Sequence, residues 1–284
     1  MNTTLAQFSP GAFLTPAVDW LNTHWHPFFA LVSDVIQVVL DSVTALLLVL
    51  PPWALILAAT GLALWTLGRR PATVTILALG FCWGVGLWQE AMQTITLVSV
   101  AVALSVAIAF PLGVLASRHP RLAAVLRPIL DIMQTVPPWV YLIPAVILFS
   151  LGSVPAIIAT IVYGIPPMLR LTTLAFNQIP KDLLELGQAL GAPPRTVLFK
   201  IEVPAAMPTL LVGLNQCILL SLAMVVLAGL VGSGGLGAEV TRGLTRMEMG
   251  LGLRAGLAIV AVALLLDRLS KAALGGNAGA RDRA

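Results

Sequence analysis

Apolar runs of eighteen or more residues recur through this sequence, and the charged residues gather in the short segments between them. At a rise of about 1.5 Å per residue, such a run crosses a hydrocarbon core of about 30 Å. Only 10% of the 284 residues are charged and 58% are hydrophobic, whereas soluble domains carry about 25% charge. An ordinary soluble protein is excluded, and the fold class is all-α: a polytopic helical membrane protein. The formal net charge of +4 does not point to nucleic acid, because the basic residues are scattered between apolar runs. They read instead as determinants of membrane orientation.

Seven spans are expected, near 53–68, 72–88, 92–117, 129–151, 154–169, 205–230 and 256–272. Residues 28–50 form a different kind of helix, in which Asp34, Gln37, Asp41 and Thr44 draw one polar stripe along an apolar cylinder. Trp20, Trp25, Phe28 and Phe29 precede it and Pro51-Pro52 stops it, which favours a helix lying at the interface over an eighth span. No Lys or Arg occurs before Arg69, so the N-terminus is expected outside and the C-terminus in the cytoplasm. Thirteen of the 16 basic residues then face the cytoplasm, and only Arg242, Arg246 and Arg254 lie outside. That asymmetry is what fixes orientation.

Cys82 and Cys217 fall far apart inside apolar runs and read as buried small hydrophobes. His24, His26 and His119 have no spacing that suits a metal, and residues 1–13 do not resemble a cleaved signal peptide.

The stretch LLELGQALGAPPRTVLFKIEVP, Leu183 to Pro204, is too polar to span and is placed on the cytoplasmic side. Leu183, Leu186 and Leu190 share one face of a short helix, whose first turn carries Asp182 and Glu185 at the favourable end of the dipole. Gly191 suits the left-handed residue that ends a helix, and Pro193-Pro194 can open the next, with Val197, Leu198 and Ile201 as its apolar face. The result is a projecting elbow; a connector lying flat on the lipid surface is the alternative.

The spacing Glu185-x-Gly187-x3-Gly191, nine residues, then Ile201-x-Val203-Pro204 resembles the cytoplasmic loop of ABC-importer permeases. The family's loop reads Glu-Ala-Ala, three residues, Gly, nine residues, Ile-x-Leu-Pro; here Leu186-Gly187 replace the alanines and Val203 the leucine. The runs at 133–152, 165–172, 213–240 and 250–268 are similar to permeases of the glycine betaine, proline betaine or choline importers. The resemblance implies a type I ABC importer permease (MetI-like) core over residues 88–272, with its coupling loop at 178–204. It also implies a second permease subunit as a homodimer, two ATP-binding cassette subunits, and a periplasmic or external solute-binding protein. ATP would be used by the partner ATPase, no cofactor would be bound by this chain, and the chain itself would not be an enzyme. Glu185, Gly187, Gly191, Ile201 and Pro204 would form the coupling loop. Residues 1–27 are expected as an external segment, 28–87 as extra N-terminal helices and 273–284 as a cytoplasmic tail.

Pro137, Pro138 and Pro144 in the fourth span, and Pro111 in the third, remove backbone donors. The carbonyls so freed are tolerable only where protein or cavity water meets them. Gln134, Thr135, Trp139 and Tyr141 in the fourth span, with Asn215, Gln216 and Ser221 in the sixth, are candidates to line the path. Ordinary interhelical hydrogen bonding is the competing reading for the polar groups among them. Trp139 and Tyr141 suit a quaternary ammonium, which has no donor on nitrogen and favours aromatic faces. Gly232-Ser-Gly234-Gly-Leu-Gly237 spells a dinucleotide fingerprint, but it follows an apolar run of membrane length. Gly234, Gly235 and Gly237 are expected instead in a tight external turn that meets the binding protein. The sequence holds no G-x-x-x-x-G-K-[ST] and no H-E-x-x-H. A permease for another small solute, such as an amino acid, and an ion-coupled secondary carrier remain the alternatives.

Overall fold

The computed structural model describes residues 10–281, so 1–9 of the expected external segment and 282–284 of the expected tail lie outside the described residues. The described chain is helical throughout, without strands. The first helix, α1, runs Pro10–Leu48, and α2 (Pro52–Leu67) and α3 (Arg69–Gly84) follow as a hairpin joined through Gly68 alone. Next come α4 (Trp88–Arg118), α5 (Pro120–Thr135), α6 (Pro138–Phe149) and α7 (Ser153–Asn177). Two short helices, α8 (Lys181–Ala189) and α9 (Pro194–Val197), precede α10 (Val203–Ala228), α11 (Gly235–Thr245) and α12 (Met249–Arg281).

The expectation of seven simple spans is corrected in two places. Among the described residues, five helical runs are long and apolar enough to cross alone: Thr23–Leu48, α4, α7, Pro194–Val231 and Met249–Ala272. The two spans expected at 53–68 and 72–88 are helices of 16 residues each, about 24 Å long and short of a full crossing. The span expected at 129–151 is broken into α5 and α6, which meet at 96°. Pro137 and Pro138 explain the break, because a residue before proline is pushed out of the helical region. Val136 (ψ 128°) and Pro137 (ψ 140°) are both extended.

The core is α7 laid between α4 and α10, and the helices approach where side chains are missing. A Cβ on Gly113 would stand 2.6 Å from Thr172 Cβ, and one on Gly164 would meet Ser221, Ser105 and Cys217 at 3.0–3.2 Å. Cys82 and Cys217 are free and buried, as expected of small apolar fillers. The glycines at 80 and 84 have no near neighbours; the close glycine pairs are Gly229 against Gly237 and, in the α11–α12 hairpin, Gly243 against Gly252.

One end of this bundle is closed by the turn after α10. Gly152 N donates to Val231 O (3.0 Å), Gly235 N to Gln93 Oε1 (2.9 Å) and Leu236 N to Thr94 Oγ1 (2.8 Å). Helix α1 lies against that same end at three separated points. Phe29 stacks edge-on with Phe149; Gln37 and Asp41 line a polar cavity of about 210 Å³ with Ser153 and Ser233; Thr44 Oγ1 donates to Thr96 Oγ1 at 3.2 Å. From residue 29 to residue 44 a helix advances about 22 Å. Its partners are Phe149 at the end of α6, Ser153 at the start of α7 and Thr96 in the third turn of α4, so α1 inclines across this end of the bundle. Its length and composition would allow a span, but its polar stripe faces the core helices' ends.

Two measurements check this arrangement. Spin labels at residues 31, 35, 42 and 46 are expected to report one common immersion depth in bilayers, and a gradient of about 20 Å would show a spanning helix. Gly237→Ala places a Cβ 2.5 Å from Val226 O, so α10 and α11 must separate at a cost of about 1–3 kcal/mol. Its thermal melting in detergent should fall by several degrees, while Gly256→Ala, with open space around it, should not lower it.

Candidate functional site

The segment between α7 and α10 forms the expected elbow, with one difference in how its second arm is built. Helix α8 ends at Gly191 in the left-handed region (φ 65°), where a side chain is disfavoured. Ala192 N donates to Gly187 O (3.1 Å), the six-residue closure that satisfies an orphan helix carbonyl. The second arm is not a separate helix: α9, a π turn at Leu198–Glu202 and α10 run on as one continuous helix. The π turn has a local cause. Pro204 lacks an N–H and its ring would strike the carbonyl four residues back, at Lys200. Widening the turn relieves that contact, and Val203 N reaches Leu198 O instead.

The two halves of the sequence motif touch each other across the bend. A Cβ on Gly187 would lie 2.8 Å from Ile201 Cδ1 and 3.3 Å from Val197 Cγ2. A small residue at 187 therefore lets α8 pack onto the start of the long helix. Val197, Leu198 and Ile201 are half-buried in that contact, whereas Leu186 and Leu190 are exposed, at 55% and 76%. Leu183 and Phe199 continue this exposed apolar surface, and Glu185 stands exposed beside it. Phe199 follows Arg195 by four residues, so one exposed face carries both; that spacing was visible in the sequence and passed over. Glu202 accepts from Arg118 at 2.6 Å and joins the elbow's exit to the end of α4.

The candidate path residues divide into two groups. Gln134, Thr135, Trp139 and Tyr141 gather at the α5–α6 break. There Pro137 leaves the Met133 carbonyl without its helical donor, and the Tyr141 hydroxyl donates to it at 2.6 Å. Tyr163 on α7 brings its ring to 6.2 Å from that of Tyr141, a neighbour 22 residues on that only the packing of α6 on α7 brings close. Gln134 and Thr135 are exposed, and Trp139 is half-exposed. The α10 residues scatter over different faces. Asn215 Oδ1 accepts from Ser270 Oγ at 2.7 Å and ties α10 to α12, the ordinary interhelical bond. Ser221 is buried against Gly164 in the α4–α7–α10 contact, and Gln216 faces outward.

The glycine turn is tight, with Gly234 and Gly235 at φ 76° and 69°. Its glycines are turned inward: Gly235 and Gly237 are buried, held on the start of α4 and against Val226 of α10.

Residues 109–273 match the family described as binding-protein-dependent transport system inner membrane component. The chain is 43% identical to the glycine betaine/proline betaine transport system permease protein ProW of Escherichia coli (strain K12), over 92% of this chain and 74% of that protein. It is 37% identical to the glycine betaine transport system permease protein OpuAB of Bacillus subtilis (strain 168), over 89% of this chain and 90% of that one. Among solved structures, a chain of the MetNI methionine ABC transporter in an inward-facing conformation superposes with a TM-score of 0.59 at 22% identity, covering 67% of this chain and 95% of its own; that likeness is one of fold. The elbow and the broken helix thus sit in a MetI-like permease core, and the chain belongs to the family of inner membrane components of binding-protein-dependent transport systems.

Proposed function

We propose that this chain is the membrane permease subunit of an ATP-driven importer of quaternary amines: glycine betaine, proline betaine or choline. The observation that carries the reading is the elbow. Gly187 against Ile201 locks two arms into one rigid piece, and that piece presents Leu186, Leu190 and Phe199 to a partner that this chain does not supply. Exposed apolar side chains of this size, outside the spans, suit the cleft of a soluble subunit. Movement of that subunit on ATP turnover would enter at the elbow and pass directly into α10, because no break separates them.

The remaining parts of the machine follow from the same reading. Two copies of this chain pair, two ATPase subunits seat on the elbows, and an external solute-binding protein delivers cargo. The lipid bilayer is the surrounding medium. The distribution of basic residues supports an orientation with the elbow, Arg118 and Arg170 in the cytoplasm, the glycine turn and the N-terminus outside, and the C-terminus inside. The substrate class rests on the relatives' names, and aromatic groups at the α5–α6 break support it. Trp139 and the Tyr141–Tyr163 pair offer ring faces to a cation that carries no hydrogen-bond donor. Gly232 is the exposed glycine of the turn and the part of it available to the binding protein.

Reconstitution with the ATPase and the binding protein tests the whole. Labelled choline, glycine betaine and proline betaine are offered with ATP, and at least one is expected to accumulate. Gly191→Arg, strained at φ 65° and bulky at the elbow, should leave the chain inserted while uptake falls by at least tenfold. Accumulation by the purified chain alone, driven by an ion gradient, would instead establish a secondary carrier.

A further inference from the structure

We propose that α5 is a moving wall of the translocation path, and that Asp131 and Arg170 are the positioning residues that hold it shut. The proposal rests on the importer reading above. Helix α5 is interrupted at both ends, by extended His119 (ψ 97°) before it and by the extended pair at 136–137 after it. Beyond the second break the chain turns by 96°. Such paired breaks at element ends are where a rigid segment can pivot.

Packing does little to fix α5 in place. Leu130 is its one buried residue, whereas α7 beside it buries fifteen. Between α5 and the ends of α4 and α7 lies a cavity of about 340 Å³, lined in part by Leu126, Leu169 and Thr173. That is space for about ten waters at liquid density, so the helix stands over a gap. The Arg170 guanidinium reaches across the gap to Asp131 at 2.5 Å.

Both side chains of the pair are more than one-third exposed, Asp131 the more so. An exposed pair contributes little to stability and breaks readily in water. Its use is orientation: formed, it fixes the angle of α5; broken, it frees α5 to swing into the gap. Arg127 also lines the cavity, but Asp131 already neutralises Arg170, so the space reads as room for motion rather than as an anion site. Gln134 and Thr135 ride at the inner hinge of α5. A swing of the helix therefore carries two of the candidate path residues with it.

The test uses the complete reconstituted transporter, with Cys82 and Cys217 replaced by Ala. With Asp131→Cys and Arg170→Cys, a bis-thiosulfonate cross-linker spanning the pair should cut uptake at least tenfold, and reducing agent should restore it. Separately, Asp131→Arg and Arg170→Asp should each lower the solute moved per ATP hydrolysed by fivefold or more. Combined, the two reversals should recover it to within twofold, which damage unrelated to the pair would not do; the cross-link, which leaves the folded helix in place, separates motion from structure. If a reversed variant fails to insert, Asp131→Asn, similar in size and uncharged, should show the same drop in solute moved per ATP, and an unaltered ratio in it overturns the proposal. Uptake unaltered by the cross-link overturns the proposal, as does loss in both single reversals without recovery in the pair. The unmodified complex separates the two claims: its failure to import any quaternary amine removes the importer reading, and its normal uptake leaves the hinge to be judged alone.

Discussion

The approach of α7 to α4 and α10 is the contact on which the rest of the molecule depends. In a bilayer, apolar side chains gain nothing by leaving lipid for one another, so helices associate through close packing and interhelical hydrogen bonds. Small residues permit that closeness. Gly113 lets Thr172 of α7 sit against α4, Gly164 lets α7 approach Ser105, Cys217 and Ser221, and Gly213 lets α10 approach Met168 and Leu171. The three helices are thereby held at several levels along their length, and they move as a body. Every other element is either fastened to this body or hinged on it.

That rigidity gives the elbow its meaning. A short helix on a slack loop would absorb motion. Here the α8 arm is closed by the Ala192–Gly187 bond, pressed onto Ile201 through the missing side chain of Gly187, and continued into α10 by a π turn rather than a joint. Arg118 fastens the same point to α4 through Glu202. Displacement at Leu186 or Leu190 therefore reaches the packed core without an intervening soft segment. The opposite end is closed as firmly, with the glycine turn bonded to α4 and α1 laid across it.

How much of this could be read from the sequence follows from the range of the interactions involved. The elbow was legible because its cause is local: one left-handed glycine, two prolines and a face of leucines within about twenty residues. The polar stripe of α1 was legible because charge and amide groups on an apolar cylinder must face something other than lipid, and Gln37 and Asp41 line the cavity beside Ser153 and Ser233. The break at Pro137-Pro138 was visible as prolines but not as a break, because a membrane helix often tolerates proline when a neighbour satisfies the freed carbonyl. Only the fold supplies that neighbour, Tyr141. The roles of Asn215 and Gly235 were hidden for the same reason. Their partners, Ser270 and Gln93, lie 55 and 142 residues away in sequence.

The break also leaves backbone that hydrocarbon cannot satisfy. Each proline of the pair removes one donor, so the carbonyls of Met133 and Gln134 both lose their helical bonds. Tyr141 satisfies the first at 2.6 Å. The second belongs to a residue that is itself exposed and carries a primary amide, at the point where the chain turns through 96°. Hydrocarbon cannot meet a bare carbonyl, whereas water or a polar solute can. The tight contact of α4, α7 and α10 leaves no such opening, since its polar groups are small, buried and pressed against glycine. The outer surface of the α5–α6 bend is thus the place where backbone and side chain together offer what lipid does not.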